Sequence, residues 1–303
     1  MREQSVVGIG TIAASLTALA LGCTSPPSSD GLPTRGPDGW YAPTEPVRIV
    51  GPIHYVGTRE LGAYLIATPA GHVLIDGAMP ESAPLIEASI RKLGFDPRDI
   101  RILLITHAHV DHAGTLAHFK ALSGGKVEVM APDVELLESG GATDYLYAKQ
   151  QLFRFEPAMV DRVLHDGDEA SLGGLILTAR HTPGHTRGCT TWTTTVDDGG
   201  RSFRVVFLGS TSVNPGTKLV RDASYPGIAD DYRHSLDVLD SLQPDVFVAP
   251  HTGFFDFDGK RARAATEGVA AWVDPAGYRR RLAKEREKVE ALIAGERAPS
   301  GAN

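Results

Sequence analysis

Short apolar runs and turn residues alternate along the chain from about residue 47. Runs rich in β-branched and aromatic residues predict strands over residues 47–55, 63–67, 72–75, 102–105 and 126–130. Glycine and proline separate the first of these runs, as expected for tight turns. The run 102–105 is apolar at every position, which is typical of a strand buried on both faces. The first half is therefore predicted to pass from a β-meander to alternating strands and helices.

Helical periodicity accounts for most of the remaining segments. Apolar residues three or four positions apart predict helices over residues 81–93, 112–122, 230–242, 259–272 and 275–294. Further strands are predicted over 176–179, 190–195, 203–208 and 245–249. Two halves that each place strands before helices predict an α/β fold in which two sheets pack together, with helices on the outer faces. No sharp linker separates the halves, so we expect one domain over residues 47–297.

The N-terminus departs from this pattern. Residues 6–21 are mostly apolar with many small side chains, which is typical of a secretory signal and short for a membrane span. The segment Ala20-Leu21-Gly22-Cys23 is similar to a lipobox. We therefore predict a signal peptide over residues 1–22, acylation of Cys23, and export to the periplasm with attachment to a membrane. The alternative is cleavage after Ala20, which would give a soluble periplasmic protein.

Residues beside the signal and at the C-terminus are predicted to lie outside the folded domain. The stretch 24–39 is rich in proline, serine and glycine, which indicates a flexible tether over residues 23–46. Residues 298–303 are predicted to be a disordered tail. A flexible tether would connect a membrane-attached acylated cysteine to the folded domain, which favours the lipoprotein interpretation.

Composition narrows the classes of protein. The net charge of −7, without a long basic run, argues against a nucleic-acid partner. The chain is also expected to be a monomer. The chain has two cysteines, Cys23 and Cys189, which provide neither a disulfide framework nor a cysteine-based zinc site. Cys189 is expected to be a small core residue. Any metal site must therefore use histidine and carboxylate ligands.

Four potential metal ligands occur within six positions just after the buried strand 102–105. They are His107, His109, Asp111 and His112. A loop that leaves a strand and enters a helix can aim these side chains to different sides. His107 and His109 would then face one ion, with Asp111 and His112 facing its neighbour. Neutral imidazoles and a carboxylate suit zinc, which prefers about four ligands.

Two further histidines follow predicted strands. His185 lies in the turn Thr182-Pro183-Gly184-His185, and His251 follows the strand 245–249. His181 is the alternative to His185, but the turn favours His185 because it exposes that side chain. The other histidines lack ligand-type neighbours and are expected to be structural or at the surface: His54, His72, His118, His165 and His234.

These motifs resemble those of a known family. His107-Ala108-His109-Val110-Asp111-His112 is similar to the HxHxDH motif of the metallo-β-lactamase superfamily, and 182–186 and 249–251 resemble its later ligand turns. The resemblance extends over residues 47–272. It implies an αββα sandwich with metals in a groove at the sheet edge.

A narrower resemblance, to subclass B3 of the metallo-β-lactamases, rests on segments 55–58, 63–66, 71–77, 90–95 and 184–192 and on Asp231-Tyr232-Arg233 with Ser235. Ser210 stands where other hydrolases of the superfamily carry a bridging aspartate. This resemblance implies two zinc ions. The first would be held by His107, His109 and His185, and the second by Asp111, His112 and His251.

The resemblance implies a β-lactamase that opens the β-lactam amide with a metal-bound hydroxide and forms no covalent intermediate. Asp111 would orient the hydroxide, and Asp76 would support a ligand imidazole or, alternatively, only turn the chain. Residues expected to contact the substrate are Ser210, Ser212, Asn214, Thr217 and Lys218. Tyr145, Tyr147 and Phe153 either edge the groove or pack in the core. The alternatives are a two-zinc lactonase or thioesterase-like enzyme, and a non-catalytic binding protein.

Overall fold

The computed structural model describes Met1 and residues 36–298. Residues 2–22 of the predicted signal peptide, Cys23, residues 24–35 of the predicted tether and residues 299–303 of the predicted tail lie outside the described residues. Within the described part of the chain, no helix combines the length and the apolar character needed to cross a membrane.

Two β-sheets form the centre of the fold. The first sheet has the order β1 (Val47–Val50), β2 (Ile53–Tyr55), β3 (Tyr64–Thr68), β4 (Gly71–Ile75), β5 (Ile100–Leu104), β6 (Lys126–Met130) and β7 (Arg162–Leu164). Its strands are antiparallel from β1 to β4 and parallel from β4 to β7. The second sheet contains β8 (Glu169–Leu172), β9 (Leu175–His181), β10 (Thr190–Asp198), β11 (Arg201–Phe207) and β12 (Val246–Val248). Among the described strands of this sheet, the β11–β12 pair is parallel and the other pairs are antiparallel.

Helices occupy the segments between and after the strands. They are α1 (Ala83–Lys92), α2 (Val110–Ala113), α3 (Leu116–Ser123), α4 (Val134–Glu138), α5 (Ile228–Ser241), α6 (Phe257–Glu267) and α7 (Pro275–Arg297). The largest core cluster lies between the two sheets, where Tyr64 and Val73 of the first sheet meet Trp192 and Phe207 of the second. A second cluster joins the other face of the first sheet to α1 and α3.

Side-chain alternation explains this layering. In β4, Val73 and Ile75 belong to the core between the sheets, whereas Leu74 belongs to the helix-covered cluster. Because successive strand residues face opposite sides, an all-apolar strand supplies both cores. Helices α5 and α7 pack together in a third cluster. The predicted αββα sandwich is confirmed.

The structure corrects several element boundaries. The run 47–55 is a hairpin of two strands, because Gly51, with φ +51°, turns the chain between them. The predicted helix 112–122 is two helices separated at Gly114 and Thr115. Consequently Asp111 lies in the first turn of α2 and not in a loop. Helix α4 and strands β7 and β8, which are only three to five residues long, are missing from the sequence-based prediction.

The described part of the predicted tether, residues 36–46, contacts the domain. The Trp40 ring lies 5.6 Å from that of His251, Arg59 N donates to Ala42 O, and an Arg261 guanidinium nitrogen donates to the Thr44 hydroxyl. Folded structure therefore begins before residue 47, since an aromatic side chain at position 40 finds an apolar surface to cover.

Candidate metal centre

The six predicted ligands are carried to one edge of the sandwich by the loops that follow β5, β9 and β12 and by the start of α2. Two hydrogen bonds join the sheets directly beneath this edge. Thr190 N donates to Thr106 O at 2.7 Å, and the buried Trp192 indole donates to Ile105 O at 2.9 Å. The loop with His107 and His109 is thereby tied to the strand that follows His185.

Three imidazoles form the first ligand group, which comprises His107, His109 and His185. One ligand atom from each lies within 4.8 Å of the others. His109 Nδ1 and His185 Nε2 are 3.1 Å apart. His107 Nε2 is buried and has no hydrogen-bond partner among the described residues. Buried nitrogens that converge in this way fit a metal ion, which would satisfy all three lone pairs.

The second ligand group comprises Asp111, His112 and His251. Asp111 Oδ2 lies 3.3 Å from His112 Nε2 and 3.6 Å from His251 Nε2. One ligand atom from each of His107, Asp111 and His112 lies within 4.8 Å of the other two. His107 therefore lies between the two groups, and all six predicted ligands belong to one continuous cluster.

Outer partners fix the orientation of the imidazoles in the first group. His185 Nδ1 donates to Ser212 O at 2.7 Å, which leaves Nε2 for the centre. His109 is reversed, because Nε2 lies 2.9 Å from Asp144 Oδ2 and Nδ1 faces His185. Carboxylates and carbonyls in this position set the tautomer and the basicity of a ligand imidazole.

Asp76 combines both of the roles considered for it. Its φ of +59° turns the chain after β4, and its carboxylate is completely buried. That carboxylate accepts hydrogen bonds from Thr106 N at 2.7 Å and from the Thr106 hydroxyl at 2.8 Å. Its Oδ2 also lies 3.6 Å from His112 Nδ1. The Thr106 hydroxyl is in turn 3.1 Å from His107 Nδ1, so one carboxylate supports both ligand groups.

The electrostatics favour lone pairs on most of the ligands. Burial lowers the pKa of His185 to about 3 and that of His251 to about 4, and it holds the pKa of His107 well below its usual range. Burial alone would raise the pKa of Asp111, but the adjacent His112 outweighs it and keeps the carboxyl ionised. Burial also opposes the charge on His112, yet Asp111 and Asp76 raise its pKa to about 10.

The turn between His181 and His185 places the two imidazole rings in different surroundings. His181 Nε2 is 2.8 Å from Arg187 O, so this ring lies outside the cluster. Gly184, with φ +135°, lets the turn approach the Tyr232 ring, which a β-carbon would meet at 2.9 Å. This close contact directs His185 toward His107 and His109.

A cavity of about 240 Å³ opens over the ligands. Ser210, Ser212 and Asn214, three of the five residues expected to contact the substrate, line this cavity. Thr217 and Lys218 do not line it, because their loop is held elsewhere. Lys218 N donates to the Ser224 hydroxyl and its ammonium faces Asp222 at 3.9 Å.

Aromatic side chains form much of the cavity wall, and the sequence-based prediction included only some of them. Tyr147 and Phe153 line it, whereas Tyr145 packs in the third core cluster. Further walls come from Trp40, Phe155 and Phe254. These residues carry no local sequence signal, because apolar side chains near a cleft look like core residues until the chain is folded.

The remaining histidines and Cys189 lie outside the ligand cluster. His54 and His72 pack edge-on against Phe95, and His118 pairs with Glu87. Cys189 is completely buried, in agreement with the prediction.

Fold and site together indicate a class of hydrolases in which histidine and aspartate side chains hold metal at the edge of a two-sheet sandwich. The model of the metallo-β-lactamase superfamily matches residues 63–251, more than half of the 303 residues, and the chain belongs to this superfamily. Proteins of this superfamily bind zinc, and the His and Asp residues of this chain could hold a metal ion. Membership in the superfamily supports the prediction that the chain is a hydrolase.

Solved relatives extend over most of the chain. The native FEZ-1 metallo-β-lactamase from Legionella gormanii is 43% identical, with a TM-score of 0.83, over 85% of this chain and 98% of that one. BJP-1, a subclass B3 metallo-β-lactamase of Bradyrhizobium japonicum, is 36% identical, with a TM-score of 0.80, over 85% of this chain and 97% of that one. The predicted resemblance to subclass B3 is confirmed.

Curated sequence relatives carry other activities. A hydroxyacylglutathione hydrolase of Rhodopseudomonas palustris is 30% identical over 167 residues, which are 55% of this chain and 54% of that protein. An acyl-coenzyme A thioesterase of Gallus gallus is 32% identical over 108 residues, 31% of this chain and 37% of that protein. The chain spans about half the length, or less, of these relatives.

Proposed function

We propose that this chain is a zinc-dependent β-lactamase that hydrolyses the amide bond of β-lactam antibiotics. The observation that carries the proposal is the segment that follows β11, where Ser210 lines the cavity. Asp111 and Asp144 are the carboxylates among the described lining residues, and Asp144 is engaged by His109. Other hydrolases of the superfamily carry an aspartate at the position of Ser210, where it bridges the two metal ions. The described lining of this cavity has no carboxylate at that position.

The proposed ligand assignment follows the two groups. His107, His109 and His185 would hold one zinc ion, and Asp111, His112 and His251 the second. Zinc bound there would polarise the substrate carbonyl and lower the pKa of water from about 15.7 to about 7. The structural support for this assignment is the buried Nε2 of His107, which has no hydrogen-bond partner among the described residues.

The side chains around the ligands have complementary roles in the proposal. The ionised Asp111 carboxylate accepts a hydrogen bond from the attacking water and so orients it. Ser212 and Asn214 donate hydrogen bonds to the carboxylate that lies beside a β-lactam ring. The aromatic walls, in which Trp40 and Phe254 both contact the His251 ring, restrict bulk water at the reacting bond.

A covalent thiol mechanism is disfavoured by the position of Cys189. Its side chain is completely buried, and burial raises the pKa of the thiol far above its usual range. A thiol in that state is a poor nucleophile. Direct attack by water therefore remains the proposed chemistry.

The test compares four substrates with the zinc-loaded protein: a carbapenem, a cephalosporin, a lactone and a thioester. We expect the β-lactams to be hydrolysed with the highest kcat/KM. The thioester is included because hydroxyacylglutathione hydrolases and a thioesterase are among the sequence relatives. Faster turnover of the lactone or the thioester would overturn the β-lactamase proposal, and no turnover of any substrate would favour a binding function.

We also propose that the chain is exported, acylated at Cys23 and active as a monomer. Support comes from the lipobox-like Ala20-Leu21-Gly22-Cys23. Cells fed with a labelled fatty acid are expected to incorporate it into the full chain and not into the Cys23→Ala variant. Equal labelling of both chains would contradict the lipoprotein proposal, and sedimentation of the purified protein reports the oligomeric state.

A further inference from the structure

A buried carboxylate outside both ligand groups joins the two loops that carry the first group. Asp133 ends the 3-10 turn after β6, and its side chain is 1% exposed. One of its oxygens accepts hydrogen bonds from Ala108 N at 3.0 Å and from the Thr186 hydroxyl at 2.8 Å. Its other oxygen accepts one from Gly188 N at 2.7 Å.

These three donors lie beside the metal-binding histidines. Ala108 separates His107 from His109, and Thr186 follows His185 directly. The two loops belong to different sheets, so the relative position of the three imidazoles is not fixed by a shared ladder of strand hydrogen bonds. Asp133, from a third loop, contacts both.

The close approach of Gly188 shows that this contact is built into the packing. A β-carbon at position 188 would lie 2.5 Å from Asp133 N and 2.6 Å from its Cβ. Such distances exclude any side chain at position 188 unless the loop moves. Glycine is thus required for the His185 loop to rest on Asp133.

The cost of burying Asp133 argues for a purpose. Among the described residues no lysine or arginine forms an ion pair with it, and its hydrogen bonds all come from the two ligand loops. A buried carboxyl group without such bonds is strongly unfavourable, so loop positions that supply the three hydrogen bonds are favoured.

We propose that Asp133 is a positioning residue that sets the separation of His107 and His109 from His185 and thereby the zinc affinity of the first ligand group. The inference rests on the proposed metal centre. It assigns no contact between Asp133 and zinc. Its effect is transmitted through the backbone of Ala108 and Gly188 and through the Thr186 hydroxyl.

The principal test is Asp133→Asn. The amide NH₂ of asparagine would face at least one of the three donors. Because two donors cannot form a hydrogen bond with each other, the loops would move apart. We expect zinc affinity, measured by competition with a chromophoric chelator, to fall by about 10–100-fold, the usual effect of losing an outer support of a metal ligand. Measurements in a His251→Ala background, where the second group is impaired, would show whether the loss belongs to the first.

The matched control is Asp245→Asn. Asp245 likewise accepts a backbone N–H, from Arg204 at 2.9 Å, but it lies at the ends of β11 and β12 that are remote from the ligands. This variant is expected to keep the zinc affinity of the unchanged protein. Unchanged affinity in Asp133→Asn as well would overturn the positioning role, even if the thermal stability of the metal-free protein falls.

A second pair of variants keeps the proposal testable if Asp133→Asn does not fold. Thr186→Val removes one donor to Asp133 at nearly constant volume, and Thr186→Ser retains the hydroxyl. We expect weaker zinc binding for the valine variant, by about tenfold, and recovery for the serine variant. Equal affinity of the two variants would refute the proposal. Failure of the unchanged protein to bind zinc would instead refute the metal centre itself.

Discussion

At the scale of single residues, the two histidines near the Pro183-Gly184 turn have opposite environments. His185 lies in the first ligand group, whereas His181 faces the backbone oxygen of Arg187. Spacing alone left both as candidates, because they are four positions apart and both follow the predicted strand 176–179. The φ of +135° at Gly184 decides which imidazole reaches the cluster.

This difference predicts contrasting zinc contents. His185→Ala is expected to lower bound zinc from two toward one per chain, because it removes one of three ligands of the first group. His181→Ala, the matched control, is expected to leave the content at two. Metal analysis of dialysed protein measures both, and equal contents in the two variants would contradict the ligand assignment.

A second prediction at this scale concerns His54 and His72, which are buried against Phe95. Burial lowers the pKa of both imidazoles below the ordinary value of 6.5. The unfolded chain therefore binds protons more readily than the folded one. The stability from these neutral rings is complete above about pH 6.5 and is lost as the pH falls toward the lowered pKa values.

The His72→Leu variant should reduce this acid sensitivity. Between pH 7.5 and 5.5, we expect the free energy of unfolding of metal-free protein to fall less in this variant than in the unchanged chain. His165→Leu, at an exposed position, serves as the control. Denaturant titrations at each pH provide the measurement, and parallel curves for all three proteins would show that burial of His72 does not matter.

At the scale of elements, the last helix supports a loop beside the cavity. Glu296 of α7 accepts hydrogen bonds from the backbone N–H groups of Leu219, Val220 and Arg221. This loop follows Ser212 and Asn214, which line the cavity. The helix was predicted over 275–294 and extends to Arg297, so the sequence-based boundary omitted the residue that makes this contact.

Glu296→Gln is expected to loosen the loop, because an amide accepts these hydrogen bonds more weakly than a carboxylate. We expect KM for a β-lactam to rise several-fold with kcat little changed, since the ligands themselves stay in place. Glu287→Gln, on the exposed surface of the same helix, is the control. A fall in kcat at constant KM would indicate that Glu296 acts on the metal centre instead.

At the scale of the whole molecule, zinc would link loops from both sheets. A zinc ion that binds the folded chain and not the unfolded chain stabilises the folded state. The stabilisation is about 2.7 kcal/mol when the free zinc concentration is a hundred times Kd. Tm should therefore fall on adding a chelator and recover with added zinc. Thermal scans over a range of zinc concentrations test this, and a Tm that is independent of zinc would argue against a metal shared between the sheets.

The predictability of the site follows from how local each signal is. The ligand candidates could be named from the sequence because His107 to His112 are adjacent in it and His185 and His251 follow predicted strands. Asp133 and Asp144 could not be predicted from the sequence. An isolated aspartate in a turn has no local pattern that distinguishes a residue supporting a ligand loop from a helix cap. Trp40 was assigned to a tether because its flanking residues are rich in proline and glycine.

By itself, the sequence predicted two packed sheets with helices on the outer faces and a set of ligand candidates in which His185 was favoured over His181, because hydrophobic periodicity and ligand spacing are properties of short segments. The αββα sandwich was implied by the family resemblance. Only the tertiary structure decided which imidazole nitrogen faces the cluster, that Lys218 lies away from the cavity, and that Asp133 joins two loops. These features depend on contacts between segments distant in the chain, and their geometry exists only after the two sheets have packed together.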